Sequence, residues 1–300
     1  MAQTTDSERR RSRRSLRAPA LFIGFPSPTL LKDDEYVRAL RRCGIQLRAP
    51  RGIVVASARW HTVRPLRVTG SSRPEQLHDY GDYPRWLEST KYPCPGQPAL
   101  AADVVRLLGE SGTPAIVDGG QGLDYASWMP LSVLYASAKV PVVAVSLPAG
   151  GSPEDMMSMG RALAPLRSEG YLLVGTGATV CNPHRARHDA EDAPTEGWAR
   201  AFDDWVHERL ATLDIAGLLD YRRRAPHAHL SAPTPEYLDP LFFVVGASLQ
   251  GDRVMTLFEG FQAGSLSLRT CMLVGRRKDD LRLPDELVAP DLAARGRGAA

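Results

Sequence analysis

Paired cysteines are missing from this 300-residue sequence: Cys43, Cys94, Cys181 and Cys271 stand far apart, with no CxxC among them. That spacing supplies neither a zinc knuckle nor a disulfide framework, and free thiols in a reducing cytoplasm are the expectation. No run approaches the ~18 apolar residues of a membrane span. The arginine-rich start has no apolar segment behind it, so no secretory signal is expected. Internal repeats and heptads are absent too, which excludes solenoids and coiled coils. Gly175-Thr176-Gly177 lacks the third glycine and the following lysine that a phosphate loop uses.

Charge of one sign is scarce once the ends are set aside. The first seventeen residues carry six arginines against Asp6 and Glu8, a surplus of four. Residues 276–300 carry six basic and five acidic residues, so the net charge of +3 leaves the body at −2. A weakly acidic body has no electrostatic footprint for a polyanion, which excludes nucleic acid, and nothing marks a membrane surface. Residues 1–17 read as a disordered basic arm and 276–300 as a disordered tail. Residues 18–275 read as the folded domain, and a hydrophobic content of 43% is enough for a full core.

What is present is a regular alternation. Ala18 to Ile23 is an apolar run ending in a glycine-proline turn, a buried strand that opens onto Phe25. Asp33 to Cys43 reads as an amphipathic helix stopped by Gly44, and Gly52 to Ser57 as a second buried strand. Val63 to Thr69 reads as a short third strand. The loop from Ser71 to Pro98 is long enough to suggest that it covers a site. A helix over Ala99–Gly109, a strand over Pro114–Val117 and a helix over Pro130–Ser137 follow. Val140 to Leu147 is strand-like. Ser152-Pro153-Glu154-Asp155 opens a helix with Ser at the N-cap, Pro in the first turn and acids at the positive dipole end. Tyr171–Val174 is a strand. Trp198–Thr212, Ile215–Arg224 and Pro235–Val245 are helices; Asp203 and Asp204 are read on a solvated face beside Trp205. Arg253–Glu259 and Ser267–Val274 are closing strands. The pattern predicts one α/β domain with a mainly parallel mixed sheet and helices on both faces. In such sheets ligands bind beyond the carboxyl ends of the strands.

Several words at those strand ends occur together and in order. They are Phe22-Ile23-Gly24 with Ser27-Pro28, Ser57-Ala58 with Trp60, His78-Asp79, Tyr92-Pro93, and Gly122-Leu123-Asp124 with Trp128 and Pro130. Gly175 with Gly177 and Asn182, Ala225-Pro226-His227, Pro233-Thr234-Pro235-Glu236 and Gly264-Ser265-Leu266-Ser267 complete the set. From Ala18 to Leu273 the sequence resembles the class III extradiol ring-cleaving dioxygenases, in their 4,5-DOPA dioxygenase branch. The resemblance implies an oxidoreductase of aromatic compounds, with a ferrous ion (or zinc) held by three histidines in the words G-H-G-S-P, S-A-H-W and P-T-P-E-H. Two further histidines, in G-L-D-H and before the Asn of the glycine-rich word, would act on substrate and oxygen.

The five matching positions here are Phe25, Arg59, Tyr237, Tyr125 and Cys181. Phenylalanine cannot ligate, and a guanidinium stays protonated at physiological pH and would repel a dication. The sequence therefore points to a degenerate member, a pseudoenzyme with respect to the iron reaction, with no cofactor. Whether it is an enzyme of another kind stays open. In one reading Arg59 stands in for the metal's charge, and an aromatic or phenolic anion binds between Phe25, Tyr125 and Tyr237. In its bland counterpart Arg59 pairs with Asp124 or Glu236 in a closed pocket. In a second reading Tyr125, Tyr237 and Cys181 carry out a metal-independent reaction. A relocated metal on His61 with Asp124, Glu236, Cys181 or His184 would instead leave an active ring-cleaving dioxygenase. A non-catalytic subunit beside an active homologue, in a homo- or hetero-oligomer, is the remaining alternative.

Overall fold

The computed structural model describes residues 17–32, 34–47, 49–80, 85–190 and 192–275. The expected tail, and the expected arm up to residue 16, lie outside the described residues. Arg17, the last residue of that arm, is held: its Nη2 lies 2.6 Å from Asp252 Oδ1.

Strand β1 (Ala20–Gly24) leads through a 3-10 turn (Pro28–Lys32) into helix α1 (Asp34–Gln46). Strands β2 (Ile53–Ser57), β3 (His61–Thr62) and β4 (Leu66–Thr69) follow, then α2 (Pro98–Glu110), β5 (Ala115–Asp118) and α3 (Tyr125–Leu134). Next come β6 (Val142–Ala144), β7 (Leu147–Pro148), α4 (Pro153–Leu163), α5 (Pro165–Ser168) and β8 (Leu172–Gly177). Helices α6 (Gly197–Thr212), α7 (Ile215–Leu219), α8 (Tyr221–Arg224), α9 (Ala228–Ser231) and α10 (Asp239–Gly246) run without an intervening strand. The chain closes with β9 (Asp252–Phe258), β10 (Phe261–Gln262), β11 (Leu266–Ser267) and β12 (Thr270–Gly275).

Six strands form the main sheet in the order β6-β2-β8-β1-β12-β9. The first four are parallel, and β12 and β9 add antiparallel to one edge. Side chains alternate across the sheet as a two-residue period demands. Ala20 and Phe22 of β1 join a core layer with Leu100, Val104, Met156 and Phe243 from α2, α4 and α10. Leu21 and Ile23 join the opposite layer with Leu40 of α1 and Trp128 and Leu131 of α3. Burial on both faces explains why the central strands read as continuous apolar runs. This is the single α/β domain, mainly parallel with helices on both faces, that the alternation implies.

The departures are local and have physical causes. Gly44 does not stop α1, which runs on to Gln46; a Cβ at Gly44 would overlap the Leu134 carbonyl, so the glycine lets α1 and α3 touch. Helix α3 starts at Tyr125, five residues before Pro130, because Asp124 caps it. The strand expected over 140–147 splits into β6 and β7, and the one expected over 63–69 begins at Leu66. Helix α10 begins at Asp239, with Pro240 in its first turn, rather than at Pro235. Asp203 is buried, not solvated: its carboxylate accepts from Arg269 Nη2 at 2.6 Å and from the Thr179 and Ser267 hydroxyls. An isolated buried carboxylate would be costly, and this one is fully paired. Asp204, its neighbour, is the exposed acid.

The candidate site at the carboxyl ends of the central strands

Strands β2, β8 and β1 are neighbours, and their carboxyl ends open together. Phe25 N donates to Gly177 O at 2.6 Å, and Ala58 N donates to Thr176 O at 2.9 Å. These bonds draw the first residues of two loops against the end of β8. A third segment joins them: Ala178 N donates to Tyr237 O at 2.8 Å, and Gly177 has no Cβ to collide with that carbonyl. These contacts bring Phe25, Ala58 and Tyr237 to the end of β8, with Arg59 following Ala58 and Cys181 three residues beyond Ala178.

Asp124 fastens the fourth element. As the N-cap of α3 it accepts from Ser127 N at 3.0 Å and from Ser127 Oγ at 2.7 Å. The Ser57 hydroxyl, at the end of β2, donates to it at 2.8 Å and in turn accepts from Arg59 N at 3.0 Å. Burial pushes the Asp124 carboxyl above its ordinary range, against the Ser127 and Ser57 hydrogen bonds that favour its charge. The result is a chain of contacts from β2 to the first turn of α3, which carries Tyr125.

Arg59 lies exposed just past the end of β2, its guanidinium carbon 5.3 Å from the centroid of the Tyr125 ring. Partial desolvation works against its charge. The Tyr125 and Tyr237 phenols, the hydrogen bond to Tyr237 and the Asp79 carboxylate outweigh that, and its pKa is raised. The Tyr237 phenol acts on both neighbours, raising the pKa of Arg59 and lowering that of the Cys181 thiol. Burial pushes that thiol up to about 12, more than Tyr237 and Arg59 lower it. A thiol so placed is protonated at neutral pH and lacks the thiolate that nucleophilic attack needs.

Phe25 is 2% exposed and packs with Trp60, Tyr80 and Tyr125 in one apolar layer. The Tyr80 and Tyr125 rings are 5.4 Å apart, and His78 Nδ1 is 3.0 Å from the Tyr80 hydroxyl. The loop that holds them is strapped down by Leu77 N to Leu123 O and Leu123 N to Glu75 O, at 2.8 and 2.7 Å. That part of the long loop does lie over the start of α3. Sequence reasoning did not single out Tyr80, although the His78-Asp79 word stands next to it.

His61 is placed beside Asp239, with Nε2 3.2 Å from Oδ2. Glu236 is exposed. Among the described residues no three His, Cys, Asp or Glu side chains come together in a way that could hold a metal ion. Asp239 was not anticipated, being hidden in the apolar run that becomes α10.

A doubly covered sheet with its site at the strand ends defines the class, and comparison places the chain within it. It belongs to the family described as the catalytic LigB subunit of aromatic ring-opening dioxygenase, whose profile matches residues 32–257. It is 37% identical over 259 residues to a 4,5-DOPA dioxygenase extradiol of Escherichia coli K12, covering 85% of this chain and 94% of that one. A 4,5-DOPA dioxygenase extradiol of Portulaca grandiflora is 30% identical over 258 residues, covering 82% and 92%. The crystal structure of an uncharacterized Escherichia coli K12 protein superposes with a TM-score of 0.72 at 34% identity, covering 85% of this chain and 99% of that one. Membership of the extradiol dioxygenase-like, class III group within an oxidoreductase family is therefore established. Among the described residues no helix is long and apolar enough to cross a membrane.

Proposed function

We propose that this chain is a non-oxygenase member of its family, one that has given up the Fe(II) site and binds an aromatic or phenolic anion in its place. The observation that carries the reading is the Arg59 guanidinium over the Tyr125 ring, 5.3 Å from its centroid, with the Tyr237 phenol also acting on it. The donor set does not fit a resident iron or zinc. Phe25 has no lone pair to give, Arg59 is a permanent cation, and the Tyr237 phenol interacts with that cation.

The same groups suit an organic anion. The guanidinium offers paired donors to a carboxylate or phenolate, and the buried Phe25, Tyr80 and Tyr125 rings form the apolar layer behind it. Asp124 is committed to Ser57 and Ser127, so it does not neutralise the guanidinium as a closed pocket would require. Tyr125 and Tyr237 supply phenol hydroxyls for such a ligand, and the Cys181 thiol beside Tyr237 stays protonated. The four unpaired, buried cysteines are in keeping with a reducing cytoplasm. A supporting subunit beside an active homologue would use the same scaffold; co-purification with such a homologue is its test.

The reading is tested by calorimetric titration of the EDTA-treated protein with benzoate and with 3,4-dihydroxybenzoate. Binding heat is expected from wild type and a Kd weakened about 10- to 100-fold in Arg59→Ala, the loss of one charge-assisted contact. No heat with either compound would overturn the proposal.

A further inference from the structure

Two interactions join the same pair of segments. The Tyr237 phenol acts on Arg59, and two residues further along each segment His61 Nε2 meets Asp239 Oδ2 at 3.2 Å. Two residues of chain span no more than about 7 Å, so along each backbone the His61–Asp239 pair lies within that distance of Arg59 and of Tyr237. Its make-up is that of a proton carrier. The Asp239 side chain is 3% exposed and its Oδ1 is buried with no partner among the described residues, whereas the His61 side chain remains 13% exposed. A simple tether would not need a buried carboxylate with one oxygen left over, because such a group is costly to desolvate. Burial raises the pKa of the Asp239 carboxyl, the contact with His61 favours its charged form, and Glu236 and Arg222 act on it in opposite senses. With Nε2 committed to Asp239, Nδ1 is the nitrogen left to meet a ligand, and the carboxylate sets the tautomer and offsets an imidazolium charge.

We infer that His61 is the acid–base residue of this site, with Asp239 as its positioning residue, and that the ligand is an aromatic acid bearing a C–H next to a carbonyl, such as an aryl 2-oxo acid. The inference rests on Arg59 being the anion site. The C–H bond breaks and its proton passes to His61 Nδ1. The electron pair becomes the C=C bond of an enolate whose oxygen charge lies against the Arg59 guanidinium. Return of a proton from the imidazolium to carbon restores the keto acid, and nothing is oxidised or reduced.

The test is phenylpyruvate in D2O, with loss of its C3 protons followed by NMR alongside a calorimetric titration of the same compound. Wild type is expected to exchange these protons at least 100-fold faster than buffer, the lower range for a placed acid–base group. His61→Gln should return the rate to near that of buffer. Asp239→Asn should lower kcat about tenfold with KM unchanged, and Arg59→Ala should raise KM, with melting curves recorded for each. Wild-type exchange at the buffer rate despite measurable binding heat would overturn the inference and leave the anion site standing. Exchange undiminished in His61→Gln would overturn it as well. Should His61→Gln fail to fold, undiminished exchange in Asp239→Asn would do the same. Absence of heat with phenylpyruvate, benzoate and 3,4-dihydroxybenzoate alike would remove the anion site, and this inference with it.

Discussion

Asp124 couples the end of β2 to the first turn of α3, so replacing it should loosen the scaffold and the site together. Asp124→Ala removes the N-cap, worth about 1 kcal/mol. It also leaves the buried Ser57 and Ser127 hydroxyls without their acceptor, about 1 kcal/mol each. Relief of the desolvated carboxylate returns part of this, for a net loss of about 2 kcal/mol. A domain of this size loses roughly 2–4 °C of melting temperature per kcal/mol, so Tm should fall by about 4–8 °C. Asp124→Asn keeps one carbonyl acceptor and should lose less. The pH dependence has a definite sign. Burial raises the folded-state pKa of Asp124 above its unfolded value. Between those two values the folded chain holds the extra proton, so stability conferred by that proton is lost as pH rises through the folded pKa. Wild type should therefore lose ground to Asp124→Asn as urea unfolding is repeated from pH 4 upward. Because Ser57 also holds Arg59 N, Asp124→Ala should in addition weaken 3,4-dihydroxybenzoate binding. An Asp124→Ala protein melting within a degree of wild type, or a wild-type advantage that grows with pH, would refute the reasoning.

Two further outcomes are expected. Gly44→Ala should destabilise by about 1–3 kcal/mol in urea unfolding, because its Cβ would push α1 off the Leu134 carbonyl and outweigh the gain in helix propensity. Cys181 should resist iodoacetamide at pH 7 in the native state and react only on unfolding, as read by peptide mass spectrometry; burial keeps its thiol protonated.

The parallel core was legible because each central strand is buried on both faces and reads as an unbroken apolar run. The Ser152 cap was legible because its serine, proline and acids are adjacent in sequence, and the structure forms that capping box. Gly44 misled because a glycine that ends a helix and one that admits a neighbouring helix look alike until the neighbour is known. Pro130 misled in the same way: it lies inside α3, and the cap is Asp124. At the site, Phe25, Arg59 and Cys181 each follow the carboxyl end of a central strand, and backbone register decides which of those ends are neighbours. Ser57, Arg269 and Asp239, the distant partners of Asp124, Asp203 and His61, lie 67, 66 and 178 residues away, and no local pattern announces them.

The central claim is that Phe25, Arg59 and Tyr237 have replaced a metal by a fixed organic cation. Elemental analysis of the full-length protein, purified without chelator and then incubated anaerobically with ferrous iron and desalted, tests it most directly. The account expects well under 0.1 equivalent of iron or zinc per chain; one tightly held equivalent, with 3,4-dihydroxyphenyl compounds consuming oxygen on mixing, would contradict it.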